Sequence, residues 1–211
     1  MRTLLLSLTL LTGCHARFQR EVGNLSAVRL VPDLRVGPDV DLARASTLHA
    51  GAGGVLAETY NLSQYIRENR LASIIAEKID ADQMNAAFVY GVRESLGEGP
   101  PFAATDGATA RIDLAIVHWG LDTTGFPNAA MFTYKVRAIG TLPNGKRFYR
   151  STHRCVGDAG EARWISSWGF GSRDAQRLEA LPPSAMQETF DKAAYACGYE
   201  FAERIRLHAG L

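Results

Sequence analysis

"MFTYKVRAIGTLPNGKRFYRSTHRC", residues Met131 to Cys155, holds two strand-like runs separated by Pro143-Asn144-Gly145. In the first run Phe132, Tyr134, Val136 and Ala138 fall on one side, with Thr133, Lys135, Arg137 and Thr141 on the other. A period of two belongs to a strand with one covered face. Asparagine and glycine tolerate positive φ, so the three residues between the runs predict a tight hairpin. The second run ends at His153 and Cys155, two residues apart and therefore on one face.

The flanking segments extend this hairpin into a sheet with a helix across it. Upstream, "ARIDLAIVHWGL" sets Ile112, Leu114 and Ile116 against Arg111 and Asp113, and the phase changes near Val117-His118-Trp119. Such a slip predicts a β-bulge. Downstream, beyond "GDAGE" and "SWGFGSRD", Pro182-Pro183 precedes Ser184 and Gln187, the spacing of a capping box. Met186, Phe190, Ala193, Ala194, Cys197, Phe201 and Ile205 then make one apolar stripe, predicting a helix laid on the sheet. Cys197 lies on that buried stripe, facing the strand that carries Cys155. The even pair invites a disulfide in an oxidising compartment, with two separate buried thiols as the alternative. Closing a loop of 41 intervening residues would contribute about 3–4 kcal/mol in the chain-entropy account.

Nearer the start, "AVRLVPDLRV" alternates with Val28, Leu30, Leu34 and Val36 together. Pro32 cannot donate to a ladder, which predicts an edge strand or a kink. "GAGG" within the following loop lacks the lysine and spacing of a phosphate-binding loop, so it is expected to be a connector. From Asn61 the pattern turns helical: Leu62, Tyr65, Ile66, Ile74, Ile75 and Ile79 trace one face. Asp80 or Asp82 can cap a second helix whose covered stripe is Met84, Phe88, Gly91 or Val92, and Leu96, ended by "GEGPP". The order is β-α-α-β-β-β-α. It predicts an α+β fold with an antiparallel or mixed sheet of about four strands and helices packed mainly on one face.

Composition suits one such domain: 211 residues, 46% hydrophobic and 21% charged. Lys and Arg total 23 against 22 acidic residues. That near balance leaves no electrostatic footprint for nucleic acid.

The amino terminus carries a separate signal. Arg2 precedes a short apolar run, Leu4 to Leu11, well below the ~20 residues that cross a bilayer. Leu11-Thr12-Gly13-Cys14 follows at once, and this motif resembles the lipobox of bacterial lipoprotein precursors. The resemblance implies that residues 1–13 are a signal peptide and that Cys14 is lipidated as the first mature residue. Residues 14–26 would be a lipidated tether and 27–211 a single periplasmic domain. Two or three acyl chains anchor a protein stably. His15 stands where lipoproteins retained at the inner membrane often carry aspartate, so the outer membrane is implied in preference to the inner. An ordinary signal peptide, or a buried helix with Cys14 as a small apolar residue, is the alternative. The layout is also broadly similar to small periplasmic lipoproteins that assist envelope transport or secretion, which implies a membrane held through the lipid and an envelope protein as partners.

Candidate chemistry is sparse. Among five histidines, His118 and His153 fall in the sheet and could approach each other with Asp113, Asp122 or Asp158. Two imidazoles and a carboxylate can bind a metal, yet no HExxH-type spacing fixes them. Ser172 lacks the G-x-S-x-G order of a nucleophile elbow. His153 could serve a free Cys155 as base, in conflict with the disulfide. Trp119, Trp164 and Trp168 sit in or beside loops, where exposed aromatics anchor binding surfaces. Their alternative is a small satellite core. The sequence therefore predicts a non-enzymatic accessory or binding protein of the envelope, with no cofactor. An envelope hydrolase or metal-dependent enzyme using His118 and His153, and a purely structural lipoprotein, are the alternatives.

Overall fold

The computed structural model describes residues 16–25, 27–33, 39–40, 73, 77–97, 101–102, 110–122, 131–157 and 180–211. Strand β3 (Ala110–Asp122) is its spine. Antiparallel to it runs β4 (Met131–Thr141), and β5 (Arg147–Gly157) pairs antiparallel with β4. The hairpin turn forms as expected. Gly145 takes φ 78°, its N–H donates to the Leu142 carbonyl at 2.9 Å, and Leu142 N–H reaches the Lys146 carbonyl at 3.0 Å. Asn144 Oδ1 accepts the Lys146 N–H at 2.9 Å.

On the other side of β3 lie two short strands, β1 (Val28–Pro32) and β2 (Asp39–Val40), both parallel to it. The sheet is therefore mixed, in the order β1-β3-β4-β5 with β2 beside β3. β1 ends at Pro32, whose ring nitrogen has no hydrogen to donate. Leu34 and Val36, expected in the same strand, lie outside the described residues. The bulge is present: the β3–β4 register shifts between Ile116 and His118. Ile116 faces the interval between β1 and β2, and its N–H finds Asn85 Oδ1 at 3.0 Å instead of a strand.

Helices α2 (Ala81–Leu96) and α3 (Pro183–Ala209) cover one face. Asp80 caps α2, its carboxylate accepting from the N–H groups of Asp82 at 2.9 Å and Gln83 at 3.1 Å. Met84, Phe88 and Val92 of α2 meet Ile112, Leu114, Ile116, Tyr134 and Val136 of the sheet, together with Met186, Phe190 and Phe201 of α3, in one buried core. The two helices approach at glycines. A β-carbon on Gly198 would overlap the Phe88 carbonyl oxygen, and one on Gly91 would overlap that of Tyr195. An α+β chain with a mixed sheet is thus what forms; the expected earlier helix over 61–79 lies mostly outside the described residues.

Two expectations are corrected. Residues 16–23, assigned to a polar tether, form a helix, α1. Phe18 and Val22, four apart on it, are buried in the core, and Phe18 stacks on Tyr149 with centroids 3.9 Å apart. Two apolar residues in a polar octet suffice when the sheet offers an aromatic shelf. The Ser184–Gln187 capping box also does not form: α3 begins after Pro182 with no side-chain cap. Gln187 turns instead to α2, where its Oε1 accepts the Asp80 N–H at 2.6 Å and its Nε2 donates to the Asp80 carbonyl at 3.1 Å. Its Nε2 also donates to Asp191 Oδ1 at 2.7 Å, one turn along α3, so the side chain is committed away from the Ser184 N–H.

Candidate functional site

Pleating divides the hairpin's side chains between two faces, and the register across the sheet tells which residues share one. Lys135 pairs with His118 on β3 and with Arg154 on β5. Those three side chains therefore form a row on the face away from α2 and α3. Thr133, two residues from Lys135 on β4, and Thr152, two residues from Arg154 on β5, belong to the same face. Together with Trp119 and His153 these residues border an open cleft of about 510 Å³. Lys135, Thr152 and Arg154 are exposed, and His118 is half-buried.

The neighbouring cations on that face carry carboxylate partners. Arg137 lies 3.5 Å from buried Asp33, and Arg111 lies 3.3 Å from Asp113. Lys135 has no ion pair among the described residues. Lys135, Arg154, His118 and two threonines give the cleft a cationic, hydrogen-bonding lining.

The opposite face holds a second constellation. Cys155 and Cys197 are joined by a disulfide with Cα atoms 5.5 Å apart, tying β5 to α3. Beside it His153 Nε2 meets Glu200 Oε1 at 2.8 Å, and the imidazole stacks on Phe201 with centroids 6.0 Å apart. His153, Cys155 and Glu200 offer donor atoms within 4.8 Å of one another. The Cys155 sulfur is already bonded to Cys197, so no thiolate is available to a metal while the bridge is closed. Further along, Tyr149 is buried and its hydroxyl lies 3.0 Å from His208 Nδ1. Burial pushes its phenol up to about 12, against weaker opposing effects of Ser151 and Arg204. Tyr134, buried completely, is raised well above its ordinary value for the same reason, and its hydroxyl donates to the Phe190 carbonyl at 2.9 Å.

The residues singled out in the sequence thus separate. His118 pairs with Lys135 while His153 pairs with Val136, which puts the two imidazoles on opposite faces of the sheet. Both residues nonetheless border the same cleft. Trp119 is only 2% exposed and packs edge-on against Phe190 at 5.0 Å. Its ring is held in the core while the residue borders the cleft, so it is not the exposed aromatic that was expected. The bulge is the cause, because it turns Trp119 inward and His118 outward. Trp164, Trp168 and Cys14 lie outside the described residues. Lys135, Arg154, Thr133 and Thr152 were not singled out as a site, although their outward phase in the hairpin was readable. Glu200 stands three residues after Cys197 on α3 and joins His153 only through the packing of helix on sheet.

No family model, curated protein or solved structure matches this chain. No helix among the described residues is long and apolar enough to cross a membrane.

Proposed function

We propose that the chain is a lipid-anchored, periplasm-facing protein of the bacterial cell envelope that acts as a non-enzymatic accessory or binding component. The observation that carries it is Leu11-Thr12-Gly13-Cys14 directly after a short apolar run that begins behind Arg2. The Cys155–Cys197 bridge supports it, since disulfides persist outside the cytosol. A lipid anchor holds the domain at a membrane surface and raises its local concentration for a membrane partner. His15 after the cysteine favours the outer membrane. The cleft bordered by His118, Lys135 and Arg154 is the surface offered to an acidic group of an envelope partner. An envelope enzyme using His118 and His153 is the alternative reading, and both residues border the cleft.

Mass spectrometry of the protein isolated from membranes tests the anchor. A diacylglyceryl-modified Cys14 as first residue is expected, and an unmodified thiol on an uncleaved chain would overturn the proposal. Crosslinking in intact cells, with wild type and Lys135→Glu compared, tests the cleft: the captured partner is expected to be lost in the variant.

A further inference from the structure

The fold limits how far a lipidated Cys14 could stand from the domain. Only His15 separates Cys14 from α1. Extended chain covers roughly 3.3–3.6 Å per residue, so Cys14 lies within about 7 Å of Ala16. There is no slack with which the domain could stand off from an anchoring bilayer, and the surface around α1 must face the lipid.

Three elements meet at that end. Phe18 of α1 stacks on Tyr149 of β5, the Tyr149 hydroxyl touches His208 near the end of α3, and Gly210 abuts the Gln19 side chain. The solvent side of this junction is basic: Arg17 and Arg20 on α1, Arg147 at the start of β5, and Arg204 on α3 are all exposed. The same segments also carry Glu21 on α1, half-buried, and Glu203, which is held by Arg206 on α3 and by Ser95 of α2. Beside the arginines stand two of the four large apolar side chains that the described residues leave exposed, Leu207 at 74% and Leu211 at 63%. Arg204 and Leu207, three apart, share one face of the last turns of α3, and Leu211 follows the Gly210 cap that ends the helix. Exposed leucines on the same end of the domain as exposed arginines are the composition of a surface that lies in a headgroup layer.

We propose that this end of the domain, formed by α1, the start of β5 and the last turns of α3, is a docking surface for anionic phospholipid. The arginines take headgroup phosphates while Leu207 and Leu211 enter the interface. The proposal rests on the anchored reading only for the short tether; the composition of the surface is independent of it.

Vesicle partitioning tests it. Residues 14–211 with Cys14→Ser retain every described element and carry no lipid of their own. At low salt this chain is expected to co-sediment with vesicles containing phosphatidylglycerol and to stay in solution with vesicles of phosphatidylcholine alone. Each basic side chain near an anionic surface changes partitioning about fivefold, so Arg17→Gln, Arg20→Gln and Arg204→Gln together should lower it about a hundredfold. Leu207→Asp should lower it also, and all four positions are exposed, so the variants keep the fold. Partitioning that is equal on the two vesicle types, or unchanged by these substitutions, would overturn the proposal. Mass spectrometry of Cys14 reads the anchor separately, so the two failures are distinguishable.

Discussion

Replacing Gly198 with alanine adds one methyl group at the point where α2 and α3 come closest. The built β-carbon overlaps the Phe88 carbonyl oxygen and also crowds the Val92 nitrogen. Both are helix backbone, so no rotamer change relieves the overlap, and α3 has to move by about 1.4 Å to widen the 2.1 Å approach to ordinary van der Waals contact near ~3.5 Å. That shift loosens the ring contact of Phe88 with Phe201, now 6.1 Å between centroids. Overpacking of this kind costs about 1–3 kcal/mol, and a rigid backbone obstacle belongs at the upper end. Alanine returns about 1 kcal/mol through its better helix propensity. The net expectation is a loss of about 2 kcal/mol, or roughly 4–8 °C in Tm for a chain of this size. Equilibrium urea unfolding followed by far-UV circular dichroism measures it. Gly23→Ala supplies the contrast: nothing lies within 4 Å of its β-carbon, so it should be neutral or stabilising by up to about 1 kcal/mol. Gly91 faces the Tyr195 carbonyl across the same crossing. The double variant should therefore lose less than the sum of the singles, since one displacement makes room for both methyl groups. Wild-type stability in Gly198→Ala, or full additivity in the pair, would refute the close crossing.

Three further outcomes follow from the same geometry. Asn85→Ala should cost about 1–3 kcal/mol in chemical unfolding, because the buried Ile116 N–H beside the bulge loses its acceptor. Reduction of Cys155–Cys197, or Cys155→Ser with Cys197→Ser, should lower stability by about 4 kcal/mol for this loop length, read as a shift in urea midpoint. Tyr149 has a folded value of about 12 against an ordinary 10.0. Above pH 10 the unfolded chain releases this proton first, so the stability present below pH 10 is lost as pH rises towards 12, by about 2–3 kcal/mol. Tyr149→Phe should flatten part of that alkaline slope in a pH series of thermal melts, with Tyr134 contributing in the same direction.

Local chemistry was legible in the chain wherever a residue's neighbours in sequence are also its neighbours in space. The alternation of β3 and β4, the glycine of the hairpin, the Asp80 cap, the slip near Val117 and the apolar stripes of α2 and α3 all depend on spacings of two, three or four residues. The facing of Cys155 and Cys197 followed from the same stripes. Other features depended on partners brought from far along the chain. Phe18 is buried because Tyr149 lies beneath it, and Gln187 leaves its own helix end because Asp80 lies across the crossing. His118 and His153 are parted because one pairs with Lys135 and the other with Val136. The Lys135 cleft needed three strands in register before its cations could be seen as a row. Periodicity tells each element which side to hide, but contact between elements is set by how all of them pack at once. No short window of sequence holds that information.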